Sequence, residues 1–163
     1  MGNETSFVLA EHLGHLLQQK HFYITTAESC TAGGIAYAIT DVAGSSNWFH
    51  QGFVTYSNES KHEQVGVHMK TLQDNGAVSS QVVAEMVQGA AKKAKAQVAV
   101  AVSGVAGPGG GTDDKPVGTV WFGFYLEGQV TTEKKQFSGD RVQVRQQTVE
   151  YALRKIILLL QAS

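Results

Sequence analysis

Residues 118–127, GTVWFGFYLE, carry apolar side chains at odd and even positions alike, so a β-strand here is apolar on both of its faces. Such a strand has to be covered on both sides and belongs in the interior of a sheet. Residues 97–104, QVAVAVSG, form a second compact strand of small β-formers, and residues 130–137, VTTEKKQF, alternate with charges as an edge strand does. Gly128 and Gln129 supply the turn of a hairpin between the last two.

Helical periodicity fills the remainder. Leu9, Leu13, Leu16 and Leu17 share one face of a helix over residues 6–20, predicted to pack on the sheet. Ser79 caps a long helix whose buried stripe is Val82, Val83, Met86, Val87, Ala90, Ala91 and Ala94, and a last helix starts near Asp140 with Val144, Thr148, Ala152, Ile156 and Leu159 inward. Residues 22–26 form a short strand that turns at Ser29, Cys30 and Thr31 into another helix. Residues 49–57 read as a strand ending near Tyr56, and Asn58 as the N-cap of a helix with Lys61 in its first turn. Helices and strands interleave throughout the 163 residues, and 42% hydrophobic content suffices for one core without disulfides or metals. The expected fold is α/β: a single three-layer α/β/α domain with a mixed β-sheet, residues 1–163.

A net charge of −1 with no basic tract excludes a polyanion surface, so no nucleic-acid partner is expected. No apolar stretch reaches the roughly 20 residues that span a bilayer, no signal peptide is apparent, and the lone cysteine, Cys30, has no internal partner. A reducing cytoplasm is the expected compartment.

The long irregular stretch over residues 106–118, AGPGGGTDDKPVG, invites a nucleotide-binding reading. Gly104 and Gly109 have P-loop spacing, but Gly110 and Gly111 stand where Lys and Ser or Thr are required. A dinucleotide fingerprint fails at Thr112. What remains is a flexible loop, or one whose bare N–H groups approach an anion or sugar. His62, Glu63 and His68 miss the zincin spacing, and His12 with His15 fit a solvated helix face, so no metal is expected.

Three residues carry candidate chemistry. Ser29, between strand and helix, is a nucleophile or simply a helix cap, and the residues alone favour the cap. Lys61 is a solvated cation, or a base if burial and the helix dipole lower its pKa. Cys30 is a rival nucleophile without an obvious histidine partner. Arg141 and Arg145, one helical turn apart, could present guanidinium groups to a phosphate.

Taken together, TAESCTAGG (26–34), GSSNWFHQGFVTYSNESK (44–61), GAVS (76–79), AVSGVAGPGGGTDDKPVGTVWFGF (101–124) and FSGDR (137–141) closely resemble the C-terminal domain of the CinA family, in order and spacing over almost the whole chain. The resemblance implies hydrolysis of the carboxamide of nicotinamide mononucleotide to nicotinic acid mononucleotide and ammonia, in the recycling of pyridine nucleotides. Ser29 would be the nucleophile, assisted by Lys61 and Tyr56, with backbone N–H groups at Cys30 and Thr31 as oxyanion donors. The ribose phosphate would rest on Gly44, Ser45, Ser46, Ser103, Gly104 and Gly107, with Arg145 as its ionic partner. No cofactor is implied, and a homodimer is. The metal-dependent pyrophosphatase domain of longer members has no room here. The competing reading is a catalytically silent nucleotide-binding or regulatory protein of the same family.

Overall fold

The computed structural model describes residues 2–163, with side chains from residue 5 onward. Its elements run α1 (Gly2–Lys20), β1 (Ile24–Glu28), α2 (Gly34–Thr40), β2 (Phe53–Val54), α3 (Asn58–Val65), α4 (Met69–Asn75), α5 (Ser80–Ala94), β3 (Val98–Gly104), β4 (Thr119–Leu126), β5 (Gln129–Gln136) and α6 (Arg141–Ala162). Among the described residues there is one five-stranded sheet in the order β2-β1-β3-β4-β5. β1 lies parallel to both β2 and β3, whereas β3 with β4 and β4 with β5 are antiparallel. The sheet is therefore mixed, as expected.

The period-2 pattern of the strands sorts the two cores. Val98, Val100 and Val102 of β3 and Val120, Phe122 and Phe124 of β4 pack with Leu13, Leu17, Ile39, Leu153 and Ile156 from α1, α2 and α6. Ala99 and Ala101 point the other way, to Val82, Val83, Met86 and Val87 of α5. Small residues on that face let α5 come close: a Cβ on Gly123 would lie 2.5 Å from the Val83 carbonyl oxygen. Two apolar layers on opposite sides of one sheet complete the α/β/α arrangement.

Several expected boundaries shift. β1 begins at Ile24 rather than Phe22 because its parallel pairing with β3 starts at Ile24 opposite Val98. The strand expected over residues 49–57 is reduced to Phe53–Val54, with one isolated bridge from Phe49 to Ile24. Ser57, not Asn58, caps α3 and exchanges hydrogen bonds with Ser60 in a capping box. The hairpin turns at Glu127 and Gly128, both at positive φ (46° and 91°), with Leu126 opposite Gln129, so it lies one residue earlier than predicted. α1 lies against α6 and α2, and its Leu13 and Leu17 join the core on the sheet as expected. Ser79 caps α5 and Asp140 caps α6 as predicted; Leu160 is buried on α6, with Leu159 only half-buried beside it.

Candidate active site

β1 runs between two parallel neighbours, so its carboxyl end opens onto a crevice where the chain must leave the sheet. Ser29 is the first residue beyond it, and its N–H still pairs with the Val102 carbonyl at 3.1 Å. The buried Glu28 carboxylate accepts from the Thr31 hydroxyl and from the Ile35 and Ala36 N–H groups at 2.7 and 2.9 Å. Glu28 thus satisfies the first amides of α2, and Gly33 is its N-cap. The cap reading of Ser29 therefore fails, and its hydroxyl is available for other partners.

Those partners come from the segment after β2. The Ser57 cap starts α3 so that Lys61, one turn in, reaches back under the end of β2. Lys61 Nζ donates to Ser29 Oγ at 3.0 Å, to the Thr55 carbonyl at 3.0 Å and to the Tyr56 carbonyl at 3.2 Å. β2 stops at Val54, and the next two carbonyls are turned to the lysine. Lys61 is 1% exposed, and among the described residues no carboxylate lies within 4.0 Å of its amine. Desolvation by burial lowers its pKa from 10.5 to about 8. The cause is burial; the helix dipole invoked from the sequence is not needed. A neutral amine has two hydrogens and one lone pair, so on losing its proton Lys61 can keep its hydrogens on the two carbonyls and turn its lone pair to Ser29 Oγ, whose hydroxyl also reaches the Tyr56 carbonyl at 3.3 Å. This is the geometry by which an amine can deprotonate a hydroxyl.

The pair sits at the base of a cleft of ≈ 300 Å³ that Cys30, Tyr56, Asn58, Ser103, Gly107 and Arg141 also line. Tyr56 is 57% exposed, and its hydroxyl accepts from Arg141 at 3.2 Å rather than meeting Ser29 or Lys61. Arg141 also donates to the Gly107 carbonyl at 2.7 Å, tying the glycine-rich loop to the start of α6. The loop amides of Ala106, Gly107, Gly109, Gly110 and Gly111 take no carbonyl partner among the described residues, and neither do those of Cys30 and Thr31.

Ser29, Cys30, Tyr56, Lys61, Ser103, Gly104 and Gly107 thus come together in one cleft. Gly44, Ser45 and Ser46 do not: Ser45 opens a 3₁₀ turn (Ser45–Asn47) leading to Trp48, whose carbonyl accepts from Ile24 at the amino end of β1, the opposite end from Ser29. Arg145 does not enter the cleft either. Its guanidinium donates to the Cys30 and Thr31 carbonyls at 3.1 and 3.3 Å and braces the turn that carries Ser29. Thr31 hands its hydroxyl to Glu28, so it supports that turn as well. The buried Cys30 thiol is pushed up to about 12, chiefly by desolvation, which disfavours the thiolate at neutral pH. Reading the sequence named both arginines but preferred Arg145 to Arg141, and it missed Asn58, Ala77 and Val78 as lining. The GAVS similarity pointed at the last two, but their apolar side chains suggested no role.

Fold and site define a three-layer α/β domain with a buried serine–lysine pair at the carboxyl end of a parallel strand. The model of the CinA C-terminal domain matches residues 6–160, and the chain belongs to that family. It is 58% identical over 146 residues to nicotinamide-nucleotide amidohydrolase PncC of Enterobacter agglomerans, covering 89% of each chain. To the protein of the same name from Escherichia coli K12 it is 53% identical over 149 residues, covering 91% of this chain and 90% of the relative. A crystal structure of a CinA superfamily protein from Klebsiella pneumoniae superposes with a TM-score of 0.94 at 37% identity, covering 97% of this chain and 99% of the other.

Proposed function

We propose that this chain is a nicotinamide-nucleotide amidase that hydrolyses the carboxamide of nicotinamide mononucleotide to nicotinic acid mononucleotide and ammonia. The observation that carries the reading is the 3.0 Å contact between Ser29 Oγ and a buried Lys61 amine that meets no carboxylate within 4.0 Å among the described residues. Near-full-length identity to two proteins named as nicotinamide-nucleotide amidohydrolases supports the substrate.

In this mechanism neutral Lys61 takes the Ser29 proton as Oγ bonds to the carboxamide carbon, and the carbonyl electron pair moves onto oxygen. The Cys30 and Thr31 N–H groups, free of carbonyl partners, receive that oxyanion. Lys61 then returns the proton to the amide nitrogen, the C–N bond breaks and ammonia leaves an ester on Ser29. Water, deprotonated by Lys61, hydrolyses the ester and restores the serine. The direct contact makes a relay through the Tyr56 hydroxyl unnecessary; Tyr56 contributes its carbonyl to Lys61 and its ring to the cleft wall. The pyridinium of the substrate withdraws electrons from the amide and, as a neighbouring cation, favours neutral Lys61. Arg141 and the unpaired loop amides are assigned to the phosphate, in place of Arg145 and the turn at Gly44. The product would re-enter pyridine nucleotide synthesis, and a homodimer is the expected assembly.

The test is ammonia release by the purified protein from nicotinamide mononucleotide, nicotinamide riboside and free nicotinamide. Fast release from the mononucleotide alone supports amidase and phosphate site together. No release from any of the three would refute the amidase and leave a nucleotide-binding protein.

A further inference from the structure

The glycine-rich loop has a second attachment, away from Arg141. Lys115 Nζ donates to the Asn75 carbonyl at 2.8 Å, joining positions 40 residues apart. Asn75 is the last residue of α4, where carbonyls lack helical partners and a lysine is well placed to serve them. Lys115 is half-buried while its neighbours Asp113 and Asp114 are exposed. A tight turn holds it there: the Thr112 N–H donates to the Lys115 carbonyl, and the Lys115 N–H to Thr112 Oγ1, both at 3.0 Å. Its ammonium meets no carboxylate within 4.0 Å among the described residues, so the carbonyl is its polar partner.

Segments next to both ends of this bond line the cleft: Ala77 and Val78, just past Asn75, and Gly107, Gly109 and Gly110 of the loop. Arg141 holds the loop at Gly107 and Lys115 holds it at the Asn75 carbonyl, while Gln136 Nε2 donates to the Val117 carbonyl beyond them at 2.8 Å. Between Gly107 and Lys115 lie glycines whose amides have no carbonyl partner and which have little conformational preference of their own.

We propose that Lys115 is a positioning residue for the substrate: it straps the glycine-rich loop to the α4–α5 turn so that the mononucleotide meets a preformed wall. The proposal rests on the amidase reading for its substrate. Releasing the strap makes binding bear the cost of ordering the loop, whereas Ser29 and Lys61, anchored on β1 and α3, keep their contact. The loss therefore falls on KM and spares kcat.

The experiment compares Lys115→Met and Lys115→Arg with wild type, by steady-state ammonia release from the mononucleotide and by amide hydrogen exchange without substrate. Lys115→Met should raise KM roughly tenfold or more, with kcat held within about threefold, as loss of a charged hydrogen bond that orders a binding loop predicts. Exchange of the bonded Thr112 and Lys115 N–H groups should quicken by roughly tenfold, and Lys115→Arg, which keeps cation and reach, should recover at least half of both effects. Unchanged exchange in Lys115→Met, an arginine variant no better than methionine, or kcat falling in step with KM would each overturn the strap. A wild type that releases no ammonia sinks the amidase reading instead, and exchange alone then decides the strap.

Discussion

Replacing Lys61 with methionine removes a buried amine while keeping most of its length, and it separates the cost of burying that amine from everything else in the protein. Burial lowers the Lys61 pKa from 10.5 to about 8. At about 1.36 kcal/mol per unit, folding is then opposed by about 3 kcal/mol wherever the unfolded lysine is charged and the folded one must be charged too. The folded state binds fewer protons than the unfolded state between pH 8 and 10.5, so this contribution to stability rises with pH across that window. Below pH 8 both states are protonated and the penalty is constant. Methionine also abandons the Thr55 carbonyl, which costs roughly 1–3 kcal/mol at any pH, while the Tyr56 carbonyl keeps the Ser29 hydroxyl as donor. The absolute difference at one pH therefore mixes two opposed effects, but its change with pH does not. Urea unfolding of both proteins from pH 7 to roughly 10.5 should show wild type gaining about 3 kcal/mol on Lys61→Met as pH rises, because the other titrating groups cancel. Parallel stability curves would refute a desolvated lysine, and with it the base.

The same pKa sets the rate profile: kcat/KM for the mononucleotide should rise with pH to a plateau above about 8, and the pKa in kcat should lie lower because the bound pyridinium disfavours a charged Lys61. A profile flat from pH 6 to 9 would contradict this. Cys30→Ala should keep kcat within roughly threefold, and thiol reagents should label the native protein slowly, since the thiol is buried and raised to about 12; rapid inactivation by a thiol reagent at neutral pH would count against it. Arg141→Met should raise KM for the mononucleotide by roughly tenfold or more and for the riboside much less, read from steady-state kinetics, because only the former offers a phosphate.

Periodic segments were legible in the sequence because one face decides them. α5 and α6 bury the stripes that their spacing marks, and the doubly apolar β4 sits inside the sheet as such a pattern requires. What depends on contacts between distant segments was not legible. β1 starts where β3 pairs with it, and β2 stops where Lys61 claims its next carbonyls. Ser29 looked like a cap because spacing places it at the start of α2; Glu28, a motif residue readable as a structural partner for backbone N–H groups, serves those amides instead. Arg141 and Arg145 share one face of α6, and spacing cannot say which reaches the cleft and which stops at the Cys30 and Thr31 carbonyls. Gly44 to Ser46 precede the Tyr56 and Lys61 motif by few residues, yet the chain runs from the amino end of β1 to its carboxyl end in between. Nearness in sequence gave no guide to the end of the sheet.

The central claim is that Ser29 and Lys61 act as one unit, and the most direct test is ammonia release from nicotinamide mononucleotide by Ser29→Ala, Lys61→Met and the double variant, each shown to be folded. Groups that act together lose activity together, so each single variant should fall by roughly a thousandfold or more, and the double variant should be little worse than either. A single variant within roughly tenfold of wild type, or losses that multiply in the double, would contradict the dyad.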